Sequence, residues 1–272
     1  MSVRLLVTTV LALLALVAPV PATATDGPTW PTYDQDPPGA NDWTCRPSAE
    51  RPVPVVLVHG TFGDRSSLLE RMSATLAHEG YCVFSLDYGN RATGPIEDSA
   101  AELATFVDRV REATAAPKVS LVGHSQGGMM PRYYVKFLGG DAYVDDLVGL
   151  AASNHGTTRS GRMGTSGEYC RSCEQQAAGS EFLADLNAGD ESPGAVSYTN
   201  VVTRYDEVVV PATSGHLAAD VGVTNVTLQD ACPLDVAEHL AIPADGPAIE
   251  WTLEALGRPG PADPGFRPTC AP

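Results

Sequence analysis

The chain has 272 residues, 43% of them hydrophobic, and a formal net charge of −16 at pH 7. That charge argues against nucleic-acid binding, which needs basic patches, and against electrostatic docking on anionic membranes. We therefore expect no nucleic-acid partner, and a monomer with a sizeable core.

The first 24 residues have the pattern of an export signal. Arg4 precedes an apolar run over residues 5–17, and the small-residue sequence Ala22-Thr23-Ala24 follows two prolines. The run is short for a membrane span, and no stop-transfer pattern follows it, so a membrane anchor is the weaker alternative. We predict a signal peptide over 1–24 that is cleaved near Ala24, secretion, and one mature domain over 25–272.

Short apolar runs alternate with helical periodicity along the mature chain. The runs predict strands over 53–58, 82–87, 119–123, 147–151, 201–203 and 223–228. The 3.6-residue spacing predicts helices over 69–76, 95–110, 129–137 and 248–256. This order is typical of βαβ units and predicts a mainly parallel sheet with helices on both faces.

Six cysteines in an exported chain favour disulfides over free thiols. Cys45 lies just before the first predicted strand and Cys82 begins its expected neighbour, which predicts the pair Cys45–Cys82. The C-x-x-C sequence predicts a local bond, Cys170–Cys173, with a zinc or redox site as the weaker alternative. The third pair, Cys232–Cys270, would fix the polar tail.

Gly123-His124-Ser125-Gln126-Gly127 is a G-x-S-x-G motif between a predicted strand and a predicted helix. In that context the serine lies on a strained turn, where side chains two positions away would collide. The N-terminus of the following helix favours developing negative charge. The motif therefore predicts Ser125 as a nucleophile on an α/β-hydrolase fold.

A serine nucleophile needs a base, and His239 lies after the last predicted strand, where the order serine, acid, histidine places it. His155 precedes any acid-bearing strand, and His216 lies ahead of the last one. Of the other histidines, His59 is expected to shape a loop, His78 to be solvated and His124 to point away from the serine.

The acid is expected after the strand that precedes the histidine's strand. Asp206 has that position and would hold the histidine's tautomer. Its neighbour Glu207 is the main rival. Asp220 and Asp230 lie in loops that do not have the expected place in the order of strands.

An oxyanion hole needs two amides. We assign one to Gln126, directly after the nucleophile, and the other to Thr61 in the loop after the first strand, with Phe62 as second choice.

Five motifs together resemble secreted bacterial lipases and esterases of the class 2 lipase family. They are V-L-V-H-G-T-F-G at 56–63, G-Y-C-V-F-S-L-D-Y-G at 80–89, G-H-S-Q-G-G-M-M-P-R-Y-Y at 123–134, T-R-Y-D-E-V-V-V-P at 203–211 and C-P-L-D-V-A-E-H-L at 232–240. The resemblance implies a triad of Ser125, Asp206 and His239, hydrolysis of acylglycerols or other lipid esters, and no organic cofactor. We also expect transient contact with a lipid–water interface.

The segment 154–187 is far longer than usual connections and contains several glycines. Such loops at the carboxyl ends of parallel strands border the ligand crevice, so we predict a lid that controls substrate access. Phe182 and Leu183 are expected to line an acyl groove, and an uninvolved surface loop is the alternative.

Two other functions are compatible with these residues. Acyl transfer to an alcohol would use the same triad, because only the acceptor differs. A catalytically silent binding protein would keep the fold, and reaction of Ser125 with a phosphonate would exclude it.

Overall fold

The structure, a computed structural model, describes residues 35–160 and 169–270. The predicted signal peptide lies outside these residues, as do Gly161, Gly164 and Gly167 of the predicted lid. None of the helices within the described ranges combines the length and the apolar character that a membrane span requires.

A parallel sheet of six strands occupies the centre of the described residues. Its strands are β1 (Val55–Val58), β2 (Val83–Leu86), β3 (Val119–His124), β4 (Val144–Leu150), β5 (Ser197–Val202) and β6 (Val223–Thr227). They are arranged in the order β2-β1-β3-β4-β5-β6, and every neighbouring pair is parallel. All six strands were predicted from the apolar runs.

Helices lie between consecutive strands from β1 to β5, and two more follow β6. They are α1 (Glu70–His78), α2 (Gly89–Ala92), α3 (Ile96–Thr114), α4 (Gln126–Phe137), α5 (Arg171–Gln175), α6 (Glu181–Asn187), α7 (Leu228–Ala231) and α8 (Gly246–Leu256). Among the described residues, 3₁₀ turns lie at Gly140–Ala142, Ala212–Gly215 and Ile242–Ala244. The helical periodicity predicted α1, α3, α4 and α8, whereas α2, α5, α6 and α7 have four to seven residues, too few for a visible period.

Helices cover both faces of the sheet, and the side chains of β1, which point alternately to the two faces, show this. Val56 and Val58 face one core, which contains the apolar sides of α3, α4 and α6. Val55 and Leu57 face the other core, which contains those of α1 and α8. None of these four side chains has any exposed surface, which explains why the sequence of β1 is a continuous apolar run. The α/β-hydrolase architecture expected from the sequence is thus present.

The strand order reverses at β1, because β2 lies on one side of it and β3 on the other. The connections that leave the carboxyl ends of β1 and β3 therefore run to opposite sides, and a crevice opens between them. The loop 59–63 and Ser125 follow these two strands directly. The predicted nucleophile and oxyanion loop thus meet at the topological switch point.

Three disulfides join the pairs expected from the sequence. Cys45–Cys82 fixes the N-terminal arm to the chain just before β2. Cys170–Cys173 closes the first turn of α5. Cys232–Cys270 ties the C-terminal tail to the residue after α7.

One buried carboxyl group lies far from this crevice. Asp146 in β4 is 6% exposed, and its Oδ2 accepts a hydrogen bond from the Ser120 hydroxyl at 2.8 Å. Burial raises the pKa of Asp146 to about 7, partly offset by that hydrogen bond. In the unfolded chain the same group ionises at its usual value of 3.8. The folded protein therefore holds a proton here that the unfolded chain has already lost.

We predict that this proton makes stability fall as pH rises. Between pH 4 and 7 the wild type should lose about 1.4 kcal/mol of unfolding free energy per pH unit relative to Asp146→Asn, because only the wild type must keep or ionise a buried acid. Urea unfolding at pH 4, 5, 6 and 7 measures the difference. Asp98→Asn, which removes an exposed charge from α3, is the control. Parallel pH curves for wild type and Asp146→Asn would contradict the prediction.

Candidate active site

Ser125 lies on the sharp turn between β3 and α4, with φ 56° and ψ −122°. The turn is possible only because the residues two positions before and after Ser125 are glycines. A Cβ on Gly123 would lie 1.8 Å from the Gly127 carbonyl oxygen, and a Cβ on Gly127 would lie 2.2 Å from that of Val58. The strained serine and both glycine requirements agree with the sequence prediction, and the hydroxyl stands at the N-terminus of a twelve-residue helix.

His239 and Asp206 are brought together although 33 residues separate them. The Nδ1–H of His239 donates to Asp206 Oδ2 at 2.8 Å, and both side chains are almost fully buried. The other carboxylate oxygen accepts from the amides of Val208 at 2.9 Å and Val209 at 2.7 Å. With Nδ1 engaged, Nε2 is the ring nitrogen left to face the cavity that Ser125 and His239 both line.

Two loops present this pair, the Asp206 loop (residues 203–210) and the His239 loop (residues 233–241). A parallel β-bridge joins Tyr205 to Glu238, one residue before each of the two site residues. The Thr203 hydroxyl also donates to the Ala237 carbonyl at 2.6 Å. The acid and the histidine are thus held together through the backbone as well as through their side chains.

The rival residues either bond other partners, are exposed or lie outside the cavity. His155 Nε2 lies 3.1 Å from Glu191 Oε1, and its Nδ1 lies 3.1 Å from the Ser214 carbonyl. Burial lowers the pKa of His216, which lies outside the cavity lined by Ser125. Glu207 is exposed, as is Asp220, and Asp230 pairs with Arg204. The geometry therefore favours Asp206 and His239 over every rival weighed from the sequence.

His59 and His124 are both buried near the serine. His59 Nδ1 lies 2.8 Å from the Gly60 carbonyl, and its ring stacks on Tyr88 at 4.4 Å. Burial lowers its pKa to about 4, so it stays neutral and shapes the loop, as expected from the sequence. His124 was expected only to point away from the serine, but it lines the cavity and reaches the His239 loop.

The two residues assigned to the oxyanion hole lie side by side. Gln126 begins α4, and its side-chain amide donates to the Thr61 hydroxyl at 3.0 Å. Gln176 donates to the same oxygen at 3.0 Å. The second-choice residue, Phe62, uses its backbone amide to bond the Arg91 carbonyl at 2.8 Å. Thr61 therefore remains the better source of the second amide.

A cavity of about 420 Å³ opens at Ser125. Its size is in the range of small-molecule sites. Its polar wall includes Thr61, Ser153, Thr157 and Gln176, and its apolar wall is formed by Phe62, Leu68, Val208, Val209 and Leu240.

The segment 154–187, predicted as a lid, contains two short helices that the sequence did not predict. Its described part forms α5 and α6, and buried Arg132 of α4 donates to Asn187 Oδ1 at 2.8 Å. Thr157 and Gln176 line the cavity. The expectation for Phe182 and Leu183 was wrong: Phe182 stacks on Tyr133 in a separate cavity of about 640 Å³, and Leu183 is buried in the core. A lid role for the whole segment stays a prediction.

Sequence reasoning missed three contributors: His124, Gln176 and the amides of Val208 and Val209. Gln176 had no motif to mark it, because a glutamine in a long polar segment is ordinarily solvated. The amides come from backbone geometry and leave no trace in residue type. His124 alone had a signal, its place inside the G-x-S-x-G motif.

The strained serine turn, the His239–Asp206 pair and the adjoining cavity have the arrangement expected of a serine-nucleophile site, and comparison with known proteins agrees on the α/β-hydrolase fold. Residues 52–243 match the family described as lipase (class 2), and the chain belongs to that family. Membership supports a carboxylic ester hydrolase.

Solved structures show the same fold at low sequence identity. Lipase B of Aspergillus fumigatus is 22% identical with a TM-score of 0.71, and the match covers 84% of this chain and 57% of that one. The lipase BlEst2 of Bacillus licheniformis in its propeptide form is 16% identical with a TM-score of 0.61, over 84% and 54%. Est1E of Butyrivibrio proteoclasticus, solved with ferulic acid, is 16% identical with a TM-score of 0.52, over 82% and 90%. The chain thus spans just over half the length of the first two.

Proposed function

We propose that the protein is a secreted serine hydrolase that cleaves carboxylic esters of lipids, such as acylglycerols, through a Ser125–His239–Asp206 triad. The observation that carries the proposal is the buried hydrogen bond between His239 and Asp206, which leaves Nε2 toward the cavity on which Ser125 stands. Three disulfides are compatible with an oxidising compartment and therefore with secretion.

The proposed reaction proceeds in two halves. His239 Nε2 takes the Ser125 proton as Oγ attacks the ester carbonyl, and Asp206 stabilises the imidazolium that forms. The imidazolium then protonates the departing alcohol, which leaves an acyl-serine. Water, deprotonated by the same imidazole, releases the acid and restores the serine.

Negative charge on the carbonyl oxygen would be stabilised by the amide of Gln126, at the start of α4, and by that of Thr61, in the loop after β1. The Thr61 hydroxyl supports a third donor. Its oxygen has two lone pairs and one hydrogen, and both lone pairs face amide donors from Gln126 and Gln176. The hydrogen is therefore left to donate, and Thr61 lines the cavity.

The apolar wall favours an acyl chain as the group that enters the cavity. Next to that wall, the His239 loop exposes three apolar side chains: Leu234 is 93% exposed, Val236 71% and Leu240 54%. Leu240 also lines the cavity, so the exposed surface continues into it. We infer that this loop contacts a lipid–water interface, and the net charge of −16 favours uncharged lipid.

The triad predicts large losses from single substitutions. Ser125→Ala and His239→Ala should each lower kcat for p-nitrophenyl butyrate by roughly 10⁴- to 10⁶-fold. Asp206→Asn should lower it by about 10⁴-fold, because the histidine loses its tautomer. Initial rates and thermal unfolding of each variant measure activity and folding separately.

His155→Ala and Glu207→Gln are the matched controls, with kcat expected within threefold of wild type. Near wild-type activity of His239→Ala would overturn the base assignment. The two alternative functions, a binding protein and an acyltransferase, are tested with the wild-type protein. Failure of a phosphonate to label Ser125 would favour a binding protein, and preferential formation of alkyl esters with added alcohol would favour acyl transfer.

The third oxyanion donor predicts a loss that is confined to kcat. Thr61→Val keeps the backbone amide and the shape but lacks the hydroxyl, and should lower kcat by roughly 10²-fold with KM nearly unchanged. Thr61→Ser should recover most of the activity. Equal activity of Thr61→Val and wild type would show that the hydroxyl does not donate to the oxyanion.

The proposed interface contact predicts a loss that depends on the substrate's physical state. The double variant Leu234→Ser/Val236→Ser should hydrolyse emulsified tributyrin at least tenfold more slowly, because each side chain would bury an apolar surface worth about 1.5–3 kcal/mol. Hydrolysis of soluble p-nitrophenyl acetate should not change. Val221→Ser, at a residue that is 96% exposed on another loop, is the control. Equal rates on the emulsion would exclude this loop as the contact.

A further inference from the structure

His124 makes a contact that the proposed mechanism does not use. It ends β3 directly before Ser125 and is 3% exposed. Its Nε2 lies 2.8 Å from the backbone carbonyl oxygen of His239, and the two ring centroids are 4.8 Å apart. Because a carbonyl oxygen only accepts, Nε2 carries the hydrogen and donates it.

The opposite side of the same ring meets the oxyanion loop. A Cβ added to Gly60 would lie 3.2 Å from His124 Nδ1 and 3.1 Å from the Ser125 Cβ. Gly60 immediately precedes Thr61. One side chain therefore packs between the loop that would stabilise the oxyanion and the loop that carries the base, while its own backbone continues into the nucleophile.

We propose that His124 is a positioning residue: its hydrogen bond to the His239 carbonyl fixes the base relative to Ser125. The inference rests on the proposed function and adds a residue to it. Because His124 Nε2 is engaged by the His239 carbonyl, we assign its effect to the position of the His239 loop rather than to proton transfer.

Other bonds to the His239 loop favour this role. The Tyr205–Glu238 bridge and the Thr203 hydroxyl hold the loop to the Asp206 loop, which fixes the histidine relative to its acid. The bond from His124 holds it to the nucleophile turn. Orientation of the base toward the serine requires the second constraint as well as the first, since a displacement of about 1 Å can cost 10²-fold in rate.

The neutral state of His124 is part of the arrangement. Burial, together with the neighbouring His239, lowers the pKa of His124 to about 3. The ring therefore keeps a single N–H near neutral pH. A second positive charge this close would oppose the imidazolium that forms on His239.

Two variants test the proposal on the full-length protein. His124→Phe keeps a planar ring but lacks the donor, and should lower kcat for p-nitrophenyl butyrate by roughly 10- to 100-fold with KM within twofold. His124→Gln carries an amide N–H at a similar distance from the backbone and should recover at least a third of wild-type kcat. His78→Phe, the same exchange at an exposed histidine on α1, should leave both constants unchanged.

The outcomes separate positioning from a packing role. The proposal is overturned if the kcat of His124→Phe lies within threefold of wild type. It is also overturned if His124→Gln is as impaired as His124→Phe. If His124→Phe unfolds, His124→Gln is compared with His124→Met, which fills space without a donor; equal kcat values would then overturn it. Ser125→Ala, assayed in parallel, keeps the two claims apart, because activity there would refute the proposed function itself.

Discussion

The site depends on a strained backbone at one serine. A non-glycine residue in such a conformation costs on the order of 1–3 kcal/mol and persists only when its surroundings enforce it. Here the enforcement is the contact of β3 and β1 with the first turn of α4, with no room for a Cβ at Gly123 or Gly127. Because β1 and β3 flank the switch point, the same contact aligns the hydroxyl with the oxyanion loop.

The histidine and the acid are supported from two directions. Backbone pairing with the Asp206 loop aligns the two side chains with each other, and the His124 ring connects the His239 loop to the serine turn. Gln176 adds a third connection, from the C-x-x-C segment to Thr61. The polar groups closest to the reaction are therefore held by partners from both halves of the chain, which is the preorganisation that electrostatic catalysis requires.

The sequence predicted the parallel sheet and the serine turn because strong, local patterns encode them, and it predicted the Asp206–His239 pair from the order of the elements and the resemblance to class 2 lipases. β1 and β3 are continuous apolar runs, and the glycine spacing around Ser125 leaves few alternatives. It failed at Phe182 and Leu183, because an apolar residue in a polar segment packs on whichever core it meets, and here that was the core under α4. It missed Gln176 and the Val208 and Val209 amides because their contacts join residues distant in sequence or use only the backbone.

The separation of these partners along the chain also bears on biosynthesis. Thr61 bonds Gln176, and His124 bonds His239, each across 115 residues. Parallel sheets with such long-range contacts fold slowly, because the entropy cost of closing long loops comes before the stabilising contacts form. An emerging polypeptide would contain the serine turn long before residue 239 leaves the ribosome, yet lack the proposed base. The proposed triad is therefore complete only once the chain through residue 239 has folded.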